Sequence, residues 1–173
     1  YIDDVLEVAG NLNVYAPTWY DIMDEYGTVR NLSSSNSVAT AHAMGKKVWA
    51  VLSDPEVNTA VMEKVLNSTS IREQIIDEVV ADVLAIGADG INVDFENILS
   101  TSGDGYIEFI RELSVKCRNA GLFLSSDTYA PYDYNACYHV ADQAMVCDYV
   151  IVMMYDDYLG SGEAGPNSSL PFI

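Results

Sequence analysis

Basic side chains are scarce in this sequence of 173 residues. Lysine and arginine together number 8, against 26 aspartates and glutamates, and the formal net charge is -18. Nucleic acids and anionic membrane surfaces bind proteins through clustered lysine and arginine, so this charge argues against both as partners. No run reaches the roughly 18 apolar residues of a membrane-spanning helix. The composition suits a soluble protein that binds neutral ligands.

Cysteine and histidine are also few. The cysteines Cys117, Cys137 and Cys147 do not form the even set of a disulfide framework, and none has a CxxC or Cys/His zinc spacing. The two histidines are His42 and His139. The sequence also lacks a glycine-rich loop that could cradle phosphate. We therefore predict no metal site and no cofactor.

Short apolar runs alternate with stretches of helical periodicity along the whole chain. This alternation predicts a parallel α/β fold, because repeated β-then-α units join parallel strands through right-handed crossovers. A doubly wound sheet and a closed barrel both fit the pattern. The five predicted strands are residues 12–15, 48–52, 91–95, 122–126 and 149–154.

Local signals predict where helices and loops begin. Residues 54–56 read Asp-Pro-Glu, which is typical of a helix start with a capping aspartate. Residues 70–73 match a capping box, and Gly87 ends the helix that this box opens. Trp19 and Tyr20 are expected in a loop after the first strand.

The segment 89–97 carries the residues that indicate chemistry. Asn92, Asp94 and Glu96 alternate with apolar residues, so the three share one face of the predicted strand. The apolar face packs under the helices, and the polar groups converge near the carboxyl end of the strand. Ligands bind at this end in both barrels and open parallel sheets. We therefore expect the functional site there.

Two carboxylates on one strand face indicate acid–base chemistry. Asp94 and Glu96 lie roughly 6–7 Å apart along a strand, and their like charges raise the pKa of one of them. The protonated group is a candidate general acid, and its ionised neighbour is an electrostatic partner. We assign the acid role to Glu96, which is nearer the strand end and has the longer side chain.

Three other interpretations of this segment are weaker. A calcium loop requires a spacing that residues 89–97 do not have. A solvated edge strand is disfavoured by the β-branched and aromatic residues on the opposite face. A magnesium site for phosphate chemistry lacks its glycine-rich loop.

A second set of candidates follows the last predicted strand. In residues 152–157, Tyr155 offers a phenolic hydroxyl and Asp156 offers a carboxylate at the same rim. Trp19 and Tyr129 place aromatic rings at the same end of the sheet, where ring faces can stack on sugars. Each aromatic residue alone is equally compatible with ordinary packing.

Together these residues resemble glycoside hydrolase family 18, the chitinase-like (β/α)8 barrel enzymes. The family pattern DxxDxDxE corresponds to residues 89–96, and the pattern MxYD corresponds to residues 153–156. The wording of these segments is most similar to the bacterial branch of spore-germination peptidoglycan N-acetylglucosaminidases. The resemblance extends over essentially the whole chain and implies a barrel-type fold.

The resemblance also implies a reaction, the hydrolysis of β-1,4 linkages next to N-acetylglucosamine in peptidoglycan or a chitin-like polymer. The substrate's own acetamido oxygen attacks the anomeric carbon, so no protein nucleophile is needed. Glu96 is then the acid and base, Asp94 orients the acetamido group, and Tyr155 binds its oxygen. The resemblance implies that Asp156 contacts the sugar, and we expect Asn92, Tyr129 and Trp19 to bind the substrate as well. The alternative is a carbohydrate-binding protein of the same fold without catalysis.

Two features depart from the family pattern. Asn92 stands where many members have an aspartate, so a neutral amide replaces one charge beside Asp94. A full barrel has eight strands and about 250 residues, so we expect residues 1–173 to be part of the catalytic domain, covering strands two to six. The missing strands argue against activity of this piece alone, and open barrel edges predict self-association. From the resemblance we expect an extracellular or wall-associated bacterial protein.

Overall fold

The computed structural model describes residues 10–155 and 165–168 of the chain. The strands of this part form one seven-stranded sheet. Each of the five predicted runs forms a strand, and two further strands lie between the first and second of them. The strands are β1 Val14–Tyr15, β2 Thr18–Ile22, β3 Val29–Asn31, β4 Lys47–Ser53, β5 Gly90–Asp94, β6 Phe123–Tyr129 and β7 Tyr149–Met153.

Helices connect most of these strands, as the alternation predicted. Within the described residues, none of them is long and apolar enough to cross a membrane. The α-helices are α1 Ser35–Ala43, α2 Thr59–Leu66, α3 Thr69–Ile86, α4 Gly103–Ala120 and α5 Val140–Val146, and a short 3-10 helix spans Asp133–Tyr138.

The predicted parallel sheet is confirmed for the strands that carry the site. β2, β4, β5, β6 and β7 are neighbours in this order, and each neighbouring pair is parallel. β1 also pairs with β4 in parallel, whereas β3 runs antiparallel beside β2. Parallel strands bring their carboxyl ends to the same edge of the sheet, where ligands bind.

β2 is the main departure from the sequence prediction, which placed Trp19 and Tyr20 in a loop. That prediction is wrong, because both side chains are buried in the core, with exposed fractions of 7% and 0%. Asp21 interrupts the apolar run and so hides the strand in the sequence. In the fold its carboxylate accepts hydrogen bonds from Ser53 Oγ at 2.6 Å and from Arg30 Nη2 at 2.6 Å. These bonds offset the cost of burying the charge.

The core lies between the sheet and helices that include α3 and α4. Ile91 and Val93 of β5 are fully buried in it, on the apolar face that the alternation predicted. α4 also approaches the end of α2 so closely that a Cβ atom on Gly105 would lie 2.5 Å from the carbonyl oxygen of Leu66. The absence of a side chain at position 105 therefore permits this helix contact.

Two predicted helix starts are displaced. α2 begins at Thr59, where the side chain of Asn58 caps it, so residues 54–56 do not start a helix. α3 begins at Thr69, capped by Ser68, two residues before the predicted Ser70. The predicted end of α3 is confirmed, because Gly87 caps it with a φ of 77°. Asp54 is free of the capping role because its carboxylate bonds elsewhere.

Candidate active site

The strand register gathers polar residues in one row across the sheet, on the face opposite the core. Asp21 of β2 pairs with Ser53 of β4, and Ser53 pairs with Asp94 of β5. Continuing the β5–β6 register by one position brings Asp94 beside Asp127. Neighbouring strands lie about 4.8 Å apart, so the carboxylates of Asp94 and Asp127 occupy adjacent places in this row.

Asn92 lies one row deeper and links β5 to β6. Its side-chain amide donates hydrogen bonds to Ser125 Oγ at 2.9 Å and to Asp127 Oδ1 at 3.0 Å. It is 2% exposed, so its amide fixes Asp127 from below and does not face solvent. Burial raises the pKa of Asp127, and the bond from Asn92 opposes that rise. The neutral amide therefore orients the neighbouring carboxylate.

Asp94 has the most strongly raised pKa of the carboxyl groups in this row. Burial first, and then the negative charges of Asp127, Glu96 and Asp54, raise its pKa to about 6. Its Oδ1 atom is buried and has no hydrogen-bond partner among the described residues. The sequence argument predicted a raised pKa on this strand, but it gave Asp94 the role of the ionised partner. With a pKa of about 6, the Asp94 carboxyl is still mostly ionised at pH 7, so that role stays a prediction.

Glu96 lies just beyond the end of β5. Its Oε2 atom accepts a hydrogen bond from the hydroxyl of Tyr129 at 2.6 Å. Burial, and then the contact with Glu96, raise the pKa of Tyr129 well above its usual range. The phenol therefore stays protonated and donates at neutral pH. This bond fixes one oxygen of Glu96 and leaves the other for a ligand.

Asp54 is a buried carboxylate that holds the backbone of Glu96 and Asn97. Its Oδ1 accepts the backbone N–H of Glu96 at 2.9 Å, and its Oδ2 accepts that of Asn97 at 3.0 Å. The side-chain amide of Asn97 also donates to the Asp54 carbonyl at 3.1 Å. Burial raises the pKa of Asp54, and the backbone donors oppose this rise.

Asp54, Asp94, Glu96 and Tyr129 line a cleft of about 480 Å³ at the carboxyl ends of β4, β5 and β6. That volume is in the range of small-molecule sites, about 300–1,000 Å³. No group of His, Cys, Asp and Glu in residues 10–155 or 165–168 is arranged to hold a metal ion. The lining residues are Thr18, Ser53, Asp54, Pro55, Asp94, Glu96, Asn97 and Tyr129.

The other predicted site residues lie outside this lining. Trp19 packs its ring edge-on against Tyr15, with centroids 6.2 Å apart, so the structure places it in the core and not at the rim. Tyr155 follows β7, is 44% exposed, and donates its hydroxyl to Met153 Sδ at 2.8 Å. Asp156 lies outside the described residues.

Sequence reasoning missed Asp54 and Asp127. Asp127 could have been found, because Ser125, Asp127 and Tyr129 alternate along one strand just as the residues of β5 do. Asp54 follows an apolar strand directly, which is a usual place for site residues in parallel α/β folds. The neighbouring proline made a helix start the simpler interpretation.

The profile of glycosyl hydrolases family 18 matches residues 13–172 of the chain. Among curated proteins, the chain is similar to "Putative sporulation-specific glycosylase YdhD" of Bacillus subtilis strain 168, with 23% identity over 167 residues. The match covers 92% of this chain and 35% of YdhD, so the chain spans about a third of that relative.

Two solved structures have a similar fold. The chitinase from Chromobacterium violaceum ATCC 12472 matches with a TM-score of 0.83 and 20% identity, over 98% of this chain and 57% of its own. The spore cortex-lytic enzyme SleL from Bacillus megaterium QM B1551 matches with a TM-score of 0.84 and 14% identity, over 99% of this chain and 41% of its own. The described residues therefore form part of a (β/α) barrel-type fold.

Proposed function

Since the chain belongs to glycosyl hydrolases family 18, we propose that it carries the acid–base site of a glycosidase that cleaves β-1,4 linkages next to N-acetylglucosamine. The observation that carries this proposal is the pair at the end of β5. Asp94 has a raised pKa of about 6 and a buried oxygen without a partner among the described residues. Glu96 stands beside it with one oxygen held by Tyr129.

In the proposed reaction, Glu96 donates a proton to the glycosidic oxygen as the bond to the anomeric carbon breaks. It then takes a proton from the water that completes hydrolysis. The hydroxyl of Tyr129 holds one Glu96 oxygen throughout, so the other oxygen is the one that exchanges the proton. Losing such a donor typically costs 10² to 10⁴ in rate, on the order of general acid catalysis elsewhere.

The substrate supplies the nucleophile in this proposal. Its acetamido oxygen attacks the anomeric carbon and forms a cyclic oxazolinium ion, which water opens with net retention. The unpartnered Oδ1 of Asp94 is a suitable acceptor for the acetamido N–H, because a buried polar atom gains most from a hydrogen bond that it lacks. The negative charge of Asp94 also stabilises the positive intermediate.

In this proposal, Tyr155 and Asp156 bind the substrate from the rim at the carboxyl end of the sheet. Tyr155 donates to the acetamide oxygen after its hydroxyl leaves Met153 Sδ, and Asp156 contacts the sugar. Asn92 acts indirectly, by orienting Asp127 beside Asp94. Trp19 packs in the core, so a direct sugar contact would require it to leave its place beside Tyr15.

The polymer is proposed to be peptidoglycan or a chitin-like chain. The names of the similar proteins, a spore cortex-lytic enzyme, a sporulation-specific glycosylase and a chitinase, support this choice. A wall polymer as substrate would place the protein outside the cell or at the wall. Self-association through open sheet edges stays a prediction that light scattering measures.

The test is hydrolysis of chitopentaose by the whole protein, with products read by mass spectrometry and their anomeric form by NMR. We expect shorter oligosaccharides released in the β form. Cellopentaose is the matched control, because it has the same linkage but no acetamido group to act as nucleophile, and it should stay intact. Binding of chitopentaose in calorimetry without its cleavage would favour a carbohydrate-binding protein. Cleavage of both sugars, or binding of neither, would contradict the proposal.

A further inference from the structure

Glu96 lies where regular structure no longer fixes the backbone. β5 ends at Asp94, and residues 95–97 belong to neither helix nor strand. A general acid must nevertheless be held within a fraction of an ångström of its working position. The contacts that hold the backbone at position 96 therefore determine the position of the acid.

Asp54 supplies this restraint from the neighbouring strand. Each of its two carboxylate oxygens accepts one backbone N–H, from Glu96 at 2.9 Å and from Asn97 at 3.0 Å. The Asn97 side chain returns a third bond to the Asp54 carbonyl at 3.1 Å. Three hydrogen bonds thus join the end of β4 to the segment that follows β5.

The three hydrogen bonds between Asp54 and residues 96–97, here called the Asp54 clamp, are supported by further buried contacts. Asp54 is 1% exposed, and its neighbour Ser53 donates to Asp21, which in turn binds Arg30. A buried carboxylate is costly unless its oxygens are bonded, and both oxygens of Asp54 are taken by backbone donors. The bonds face the Glu96 backbone, so they orient Glu96 without occupying its carboxylate.

We propose that Asp54 is a positioning residue for the acid Glu96. It fixes the backbone of Glu96 while Tyr129 fixes the carboxylate, so the acid is held at both ends. This inference rests on the proposed function for its catalytic consequence. The alternative roles for Asp54 are a helix cap, which Asn58 fills instead, and a charge that acts on the substrate directly.

The first measurement is amide hydrogen exchange by NMR, which needs no activity. In the wild type, the N–H groups of Glu96 and Asn97 should be protected although they lie outside regular structure. Asp54→Ala should speed their exchange by about tenfold or more, since each loses its only acceptor in this clamp. The amides of Ile91 and Val93 in β5 should keep their protection. Unprotected amides at 96 and 97 in the wild type would overturn the proposal.

Asp148→Asn is the matched control. The Asp148 carboxylate also accepts a strand N–H, from Leu124 at 2.9 Å, but at the opposite end of the sheet and outside the cleft. Its substitution should lower stability and leave both the exchange at Glu96 and kcat unchanged. Equal effects of the Asp54 and Asp148 variants on kcat would mean that Asp54 is only a structural residue.

Kinetics then separates positioning from charge. Asp54→Ala should lower kcat on the order of 10²-fold with KM little changed, as expected for a misplaced acid. Asp54→Asn keeps one acceptor oxygen and should lose only about tenfold, with the same pH profile. An equal loss in both variants with a shifted pH profile would indicate a charge effect and overturn positioning. Unchanged kcat in Asp54→Ala would do so too.

The hydrogen-exchange and kinetic measurements distinguish failure of this inference from failure of the proposed function. If the wild type hydrolyses nothing, the proposed function fails and the catalytic role of Asp54 falls with it, while the exchange result still decides whether the clamp exists. If Asp54→Ala does not fold, Asp54→Asn carries the test. In that variant the amides of Glu96 and Asn97 should lose part of their protection from exchange, and kcat should fall. Full protection and full kcat in Asp54→Asn would then count against the proposal.

Discussion

Asp94→Asn should stabilise the protein at neutral pH. The asparagine has the shape of the protonated aspartate but cannot ionise, so it removes the cost of a charged group beside Asp127, Glu96 and Asp54. Burial and these neighbours raise the pKa of Asp94 from 3.8 to about 6. That rise corresponds to about 3 kcal/mol at about 1.4 kcal/mol per pKa unit. The cleft exposes part of the group, and solvent screening reduces the expected gain to about 1–2 kcal/mol.

The sign of the pH dependence follows from the raised pKa. A folded state that binds the proton more tightly than the unfolded chain is favoured at low pH. The contribution of Asp94 to the stability of the wild type is therefore fully present below about pH 4, the pKa of an unfolded aspartate, and is lost as the pH rises through about 6. The advantage of Asp94→Asn should grow over the same range and level off above pH 7.

Urea unfolding of both proteins between pH 4.5 and 8 measures this difference. Glu78→Gln, an exposed position on α3, is the control and should change the unfolding free energy by less than about 0.5 kcal/mol. An Asp94→Asn variant less stable than the wild type at pH 7.5, or a difference that does not vary with pH, would refute the account of the buried carboxylate row.

Three further substitutions test other parts of the site and fold. Asp127→Asn should lower the pKa of Asp94 below about 6, because it removes a like charge; a carboxyl NMR titration showing no decrease would contradict this. Tyr129→Phe removes the hydroxyl on Glu96 and should lower kcat about tenfold at similar KM; unchanged kcat would show that the bond is dispensable. Gly105→Ala should cost about 1–3 kcal/mol in urea unfolding, because its Cβ would lie 2.5 Å from a backbone oxygen of α2; an unchanged midpoint would contradict that close approach.

Local patterns predicted the elements that carry the site. The alternation of Asn92, Asp94 and Glu96 between apolar residues predicted a strand with a polar face. The structure confirms this strand for Asn92 and Asp94, whereas Glu96 lies just beyond its end. Gly87 ends α3 as predicted. Its backbone is left-handed, a conformation that glycine adopts without strain. Family 18 and the barrel-type fold followed from two short motifs.

Contacts between distant segments could not be predicted in this way. Asp54 looks like a helix cap in its own sequence context, and only the fold brings the backbone of Glu96, 42 residues away, to its carboxylate. β2 was missed because Asp21 is polar, although Arg30 and Ser53 compensate its charge in the fold. Burial, and then the charge of Asp127 on the next strand, raise the pKa of Asp94. Each of these features depends on contacts between segments that are remote in sequence.

The most direct test of the central claim compares Glu96→Gln and Asp94→Asn on two substrates. One is the natural type of polymer, and the other is an aryl glycoside of N-acetylglucosamine oligomers, whose leaving group departs with little protonation. Both variants should lose on the order of 10² to 10⁴ in rate on the polymer. Glu96→Gln should recover much of its bond-breaking rate on the aryl glycoside, and Asp94→Asn should not. A similar response of both variants, or near-normal activity of Glu96→Gln on the polymer, would contradict the roles assigned to them.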